Sequence, residues 1–227
     1  MKKFFSNLFF EAFRIIGVVS GLGAHLLFFK KKIYYENRAV QRRRVRGGAV
    51  IISNHINPLD YVLNVVLFFP RKLWVVASED AYRNKLQAFG MTFFGGICAD
   101  RRTKSLRFVD RAADVVRDGG ILQIFPEGHN SPDGEIHKFY PSYILIAERS
   151  GRPIIPVVTD GNYGLFSRTH VIIGVPIELP LPADGKTLSR AEIYEINDRV
   201  RGHVISLRRE LDLRVEADKR KKRGKSI

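Results

Sequence analysis

The sequence is poor in several features, and each shortage excludes something. Cys98 is the single cysteine among 227 residues, so there is no internal disulfide framework, and a reducing compartment fits. The six histidines are scattered with no spacing of metal-ligand type, so no metal site is expected. No Gly-x-Ser-x-Gly elbow of a serine hydrolase is present. Acidic residues are scarce, 23 against 38 basic ones, which leaves a formal charge of +15. Such an excess points to a polyanionic partner: nucleic acid, an anionic membrane or phosphorylated substrates. No nucleic-acid-binding motif appears, and the aromatic residues do not interleave with basic ones as on a base-stacking platform. Nucleic acid is therefore not expected as a partner.

A long apolar run is also missing. Near the N-terminus, fifteen uncharged residues lie between Arg14 and Lys30, fewer than the roughly 20 that span a bilayer. Lysines bracket the whole segment, and Phe4, Phe5, Phe9, Phe10, Phe13, Phe28 and Phe29 lie between them. That pattern suits an amphipathic helix lying in or dipping into one leaflet of an anionic membrane; a single tilted span and an ordinary core helix are the competing readings. A signal peptide fits less well, because no small-x-small cleavage site follows and the run is closed by three lysines. Membrane association at a cytoplasmic face is the expectation.

What is there in quantity is apolar, at 45% of residues, with 27% charged, the composition of a folded domain with a real core. Residues 1–46 are expected to be the membrane-associating helix and a basic connector, 47–212 the folded domain, and 213–227 a basic tail too charged to fold alone. Within the domain, strand-like runs (GAVIIS, KLWVVAS, GGICA, ILQIF, PIIPVV, THVIIGV) alternate with helical patterns. One helix carries Leu106, Val109, Ala112 and Val116 and is stopped by Gly119 and Gly120. A long last helix presents Ile193, Ile196, Val200, Val204, Leu207 and Leu211 on one face. Alternation of this kind predicts an α/β fold whose sheet is mixed or largely parallel and flanked by helices.

Four segments at the ends of predicted strands are unusual for scaffold. In SNHINPLDYVL, His55 and Asp60 stand five residues apart across Asn-Pro. On one continuous helix they would diverge by about 140°, and proline disfavours helix before it. The spacing instead predicts a strand ending near Ser53, a turn bearing His55, and a new helix with Asn57 as N-cap and Pro58 first. Asp60 then lies in the first helical turn, where the dipole favours a carboxylate and where it can hold the histidine. GGICADRRTKS ends a strand in basic residues before a helix, a ready anion site. FPEGHNSPDGEIHKF is a polar, glycine-bearing loop whose backbone can approach a ligand. PIIPVVTDG closes a proline-framed strand with polar residues. Open α/β sheets bind ligands at these carboxyl ends.

In this order the four segments resemble the blocks of the glycerophospholipid acyltransferases, above all the 1-acylglycerol-3-phosphate acyltransferases. His55 and Asp60 match the first block, His-x4-Asp; GICADR with Arg101 matches the second; FPEGHNS matches the third at Phe125 to Gly128 and again at Ser131; IIPVV around Pro156 matches the fourth. The resemblance covers residues 47 to 175. It implies transfer of an acyl group from acyl-CoA, acyl carrier protein or an acyl phosphate, with no further cofactor, to the hydroxyl of a lysophospholipid acceptor. His55 would be the general base and Asp60 its orienting carboxylate. Arg101, assisted by Arg102 and Lys138, would meet the acceptor phosphate, and Glu127, Gly128, Asn130 and Ser131 would form the substrate-binding loop. Two departures stand out: His129-Asn130 replaces the family's Thr-Arg, and Arg102 extends the second block. A thiol or serine hydrolase using Cys98 or Ser53 is the rival enzyme reading. Cys98 is expected to pack inside a strand. A basic membrane- or nucleic-acid-binding module is the rival without catalysis.

Overall fold

The computed structural model describes residues 30–41, 45–99, 106–164, 167–180 and 187–224. Seven strands form one sheet in the order β1-β7-β6-β2-β5-β3-β4. They are β1 (Lys30–Tyr35), β2 (Ala49–Ser53), β3 (Leu73–Ser78), β4 (Gly96–Ala99), β5 (Ile121–Ile124), β6 (Ile154–Thr159) and β7 (Arg168–Ile173). From β6 to β4 all neighbours are parallel, whereas β7 runs antiparallel to β6 and β1 parallel to β7. The expected α/β class and mixed, mainly parallel sheet are therefore found.

The helices are α1 (Leu59–Phe68), α2 (Lys85–Phe93), α3 (Arg107–Arg117), α4 (Ser142–Ser150) and α5 (Arg190–Arg223), with a short 3-10 turn at Glu79–Tyr82. The central strand β2 reads AVIIS and is buried throughout, as a parallel strand covered on both faces must be. Its side chains alternate between two cores. Val50 and Ile52 join the cluster under α3, α4 and α5, while Ala49 and Ile51 join Leu63 and Leu67 of α1 on the opposite face. Helix α3 buries Val109, Ala112, Ala113 and Val116, and Gly119 follows at φ +93°, a conformation open to glycine at no steric cost.

Four expectations are corrected. The basic connector is not all irregular: Lys30–Tyr35 is an edge strand, because Tyr34 joins one core while Ile33 and Tyr35 pack against the other. That period-2 pattern is disguised by lysines. The basic tail is helical as far as Arg223. Leu211 and Val215 continue the buried stripe, and Asp218 takes hydrogen bonds from Lys32 and Tyr34 of β1. Leu106 precedes α3 and is 49% exposed. Cys98, expected inside, is exposed on β4, at one edge of the sheet. The N-terminal segment 1–29 lies outside the described residues; among the described helices none is long and apolar enough to cross a membrane.

Candidate active site

Because β2, β5, β6, β3 and β4 are parallel, their carboxyl ends share one edge, and the motif segments after β2, β5 and β6 converge there. The ends of β2 and β6 are tied together by Asn54, whose side-chain amide donates to the Thr159 carbonyl and accepts from the Thr159 N–H, both at 3.0 Å. His55 follows in the turn. Asn57 Oδ1 accepts the Leu59 N–H at 3.0 Å, and Pro58 already has helical dihedrals (φ −53°, ψ −24°). The helix start anticipated across Asn-Pro is thus present, with its cap at Pro58, one residue later than expected.

Asp60 is fully buried, yet its carboxylate is well supplied with donors. Oδ2 accepts the N–H groups of Ile56 and Asn57 at 2.8 Å each and lies 3.3 Å from Nδ1 of His55. Oδ1 accepts the Tyr163 hydroxyl. Burial, and then the charge of Asp60 beside it, push the Tyr163 hydroxyl pKa far above its ordinary value, so Tyr163 remains a donor. An ionised carboxylate only accepts. Against a carboxylate acceptor, Nδ1 of His55 stands in the position of an N–H donor. On its flat side the His55 ring stacks on Phe125, with centroids 3.9 Å apart and planes 16° from parallel.

The loop after β5 is braced from within. Gly128 sits at φ +72° and its N–H reaches the Phe125 carbonyl at 3.0 Å. Glu127 is fully buried. It accepts the Ser131 hydroxyl at 2.7 Å, the His137 N–H at 3.0 Å and the His55 N–H at 3.3 Å. Ser131, itself buried, donates its N–H to the His55 carbonyl at 2.7 Å. Glu127 and Ser131 thus face the frame of the His55 turn. Nδ1 of His129 lies 2.8 Å from the Glu127 carbonyl, the geometry of a ring N–H donor.

Beside these groups lies a cavity of about 830 Å³. His55, Gly128, His129 and Asn130 line it at the polar end. The remaining walls are largely apolar, among them Val75, Val76, Met91, Phe108 and Ile124. Lys138, expected near the acceptor phosphate, instead lines a separate pocket of about 400 Å³ with Tyr194, Asp198 and Arg201. Arg101 and Arg102 lie outside the described residues; the described residues on either side of them, Ala99 and Leu106, both line the cavity. Sequence reasoning missed Tyr163 and Phe125 as partners of the pair. Phe125 was visible as the first residue of the third block; nothing local marks Tyr163, which lies 103 positions from Asp60. Ser53, the nucleophile of the hydrolase alternative, donates to the Asn54 carbonyl.

The sequence pattern of the acyltransferase family matches residues 32–160 of this chain. The chain belongs to that family. A 1-acyl-sn-glycerol-3-phosphate acyltransferase of Limnanthes alba is 27% identical over 154 residues, covering 64% of this chain and 54% of that protein. One of the same description from Borreliella burgdorferi is 23% identical over 165 residues, covering 70% and 66%. This chain spans about half the length of the plant relatives it matches. Among solved structures, the 1-acyl-sn-glycerophosphate acyltransferase PlsC of Thermotoga maritima superposes with a TM-score of 0.50 at 20% identity, over 77% of this chain and 72% of that one. That likeness extends the family assignment to the fold. The matched region holds both His55 and Asp60, and it ends one residue after Thr159, where Asn54 ties β6 to the His55 turn.

Proposed function

We propose that this acyltransferase moves an acyl group from an activated donor to the free hydroxyl of a lysophospholipid, with lysophosphatidate as the acceptor and phosphatidate as the product. The observation that carries the reading is the His55 imidazole at the polar end of a large apolar-walled cavity, with Nδ1 against a buried carboxylate. A hydroxyl with a pKa far above 7 attacks a carbonyl more readily when a neutral imidazole takes its proton. Nε2 of His55 would do so, and Asp60 would hold the tautomer and stabilise the imidazolium that forms. The substrate oxygen bonds to the acyl carbon and the tetrahedral intermediate collapses. The donor's thiolate or phosphate then leaves, taking its proton, where it needs one, from the same imidazolium. No side chain is acylated. The apolar walls suit an acyl chain, and the relatives' names favour a phosphorylated acceptor.

A less charged acceptor head group is the second reading. Among the described residues lining the cavity none is lysine or arginine, and the polar end offers His129 and Asn130. Arg101 would then be the one cation that the motif itself supplies. The test is transfer of a labelled acyl group from acyl-CoA, acyl carrier protein and acyl phosphate in turn, to lysophosphatidate and to lysophospholipids with esterified head groups. Preference for lysophosphatidate that disappears in Arg101→Ala supports the first reading. Equal or better use of esterified head groups supports the second, and no transfer to any of them refutes both.

A further inference from the structure

Helix α2 (Lys85–Phe93) is a nine-residue helix without one buried residue. So short a helix has little stability of its own in water, and most helices gain theirs by burying an apolar face. This one begins well: Asn84 accepts the Gln87 N–H at 2.8 Å as its N-cap. Two of its largest apolar residues are nevertheless turned outward. Leu86 is 80% exposed and Phe89 62% exposed. Both share a face with Phe93, whose ring stacks on Phe89 at 6.1 Å. The stripe continues past the helix to Phe94, 42% exposed, whose carbonyl accepts from Tyr61 of α1 at 3.4 Å. On α1, Leu59 and Val62 are exposed as well. Exposed apolar clusters of this kind mark interaction surfaces.

Position and charge indicate what covers it. Met91 of α2 and Tyr61 of α1 line the cavity that holds His55, so the outward stripe and the inward wall belong to the same two helices. An apolar chain leaving a leaflet across this face would meet the two helices that wall the cavity. Basic residues surround the stripe. Arg83 and Lys85 flank the start of α2, and Lys72 lies over the Trp74 ring at 4.5 Å, next to the turn at Gly95. The acids nearby are Glu79 and Asp80, and Asp80 is already paired with Arg83 at 3.0 Å. With a chain charge of +15, the complementary surface is negative outside and apolar within.

We propose that the outer face of α2, continued by Leu59 and Val62 of α1, docks onto one leaflet of an anionic phospholipid membrane and sets the cavity mouth against it. The proposal rests on the lipid-substrate reading, and its test needs no turnover. In the full chain, Trp74→Phe with Phe89→Trp leaves one indole, on the stripe. Should that double variant fold poorly, Phe89→Trp alone, read as a difference from the parent protein, serves the same purpose. Vesicles of phosphatidylglycerol with brominated acyl chains should blue-shift and quench the indole emission. Phosphatidylcholine vesicles should do so less. Adding Leu86→Glu should weaken the vesicle affinity by about tenfold or more, because a leucine-sized side chain can no longer enter the apolar layer. Emission unchanged by vesicles overturns the proposal, and equal response to both lipids overturns its electrostatic part. A blue shift without vesicles also overturns it. If that shift grows with protein concentration, a second copy covers the stripe; if it does not, residues 1–29 of the same chain do. Quenching without acyl transfer would refute the proposed activity and keep the surface, whereas transfer without quenching would do the reverse.

Discussion

Replacing Asp60 by asparagine isolates charge from shape at the centre of the site. The side chain is fully buried and takes N–H groups from Ile56 and Asn57 at 2.8 Å. An amide oxygen in the Oδ2 position can keep both, and Tyr163 can turn to accept from the amide nitrogen. Hydrogen bonds to a neutral acceptor are weaker than those to a carboxylate by about 1 kcal/mol each. The fold should therefore lose only about 2–3 kcal/mol across these contacts, enough to lower the melting temperature by several degrees but not to unfold the domain. The rate should suffer more. With Nδ1 3.3 Å from Oδ2, a positive ring and the carboxylate attract by about 5 kcal/mol at an effective dielectric of about 20. That attraction is available only once the imidazolium has formed. Its loss corresponds to roughly five thousandfold in rate, and partial exposure of the histidine reduces this toward a hundredfold. Single-turnover transfer of labelled acyl donor to lysophosphatidate, run beside thermal melting, measures both quantities. A rate within tenfold of the parent, with the fold intact, would sink the assignment of Asp60.

Three further perturbations test the frame. Tyr163→Phe leaves Oδ1 of a buried carboxylate without its donor and should cost about 1–3 kcal/mol by denaturant unfolding. Because the folded tyrosine is held above its ordinary value of 10.0, its share of the stability is present below pH 10 and is lost as pH rises beyond it; the variant should show a shallower alkaline loss. Asp218 is held down to about 2 by its hydrogen bonds from Lys32 and Tyr34, against an ordinary 3.8. Its contribution is present above pH 3.8 and lost between there and 2, so the stability gap between Asp218→Asn and the parent should close over that interval. Asn84→Ala removes the N-cap of α2 and should cost about 1 kcal/mol, seen as faster amide exchange in that helix with little change in global stability.

Much of the domain was legible from local pattern. Unbroken apolar runs such as AVIIS and IIPVV gave the buried parallel strands, and the 3.6-residue spacing of Ile196, Val200, Val204, Leu207 and Leu211 gave α5. The helix start after Asn-Pro was readable because proline constrains the backbone locally, whatever lies around it. The strand Lys30–Tyr35 and the helical tail were not readable, because lysine-rich segments look solvated until a partner is known. Here the partners are each other, with Asp218 of α5 bonded to Lys32 and Tyr34 of β1.

At the site, the sequence by itself determined the residue types, their order and the turn that lets His55 approach Asp60, since these depend on neighbours within five positions. Only the tertiary structure decided that Glu127 and Ser131 are buried as supports of the His55 turn, that Lys138 belongs to another pocket, and that Tyr163 completes the surroundings of Asp60. The reason is physical: which atoms of a polar residue find partners depends on burial and on strands paired across the sheet, and no periodicity along the chain carries that information.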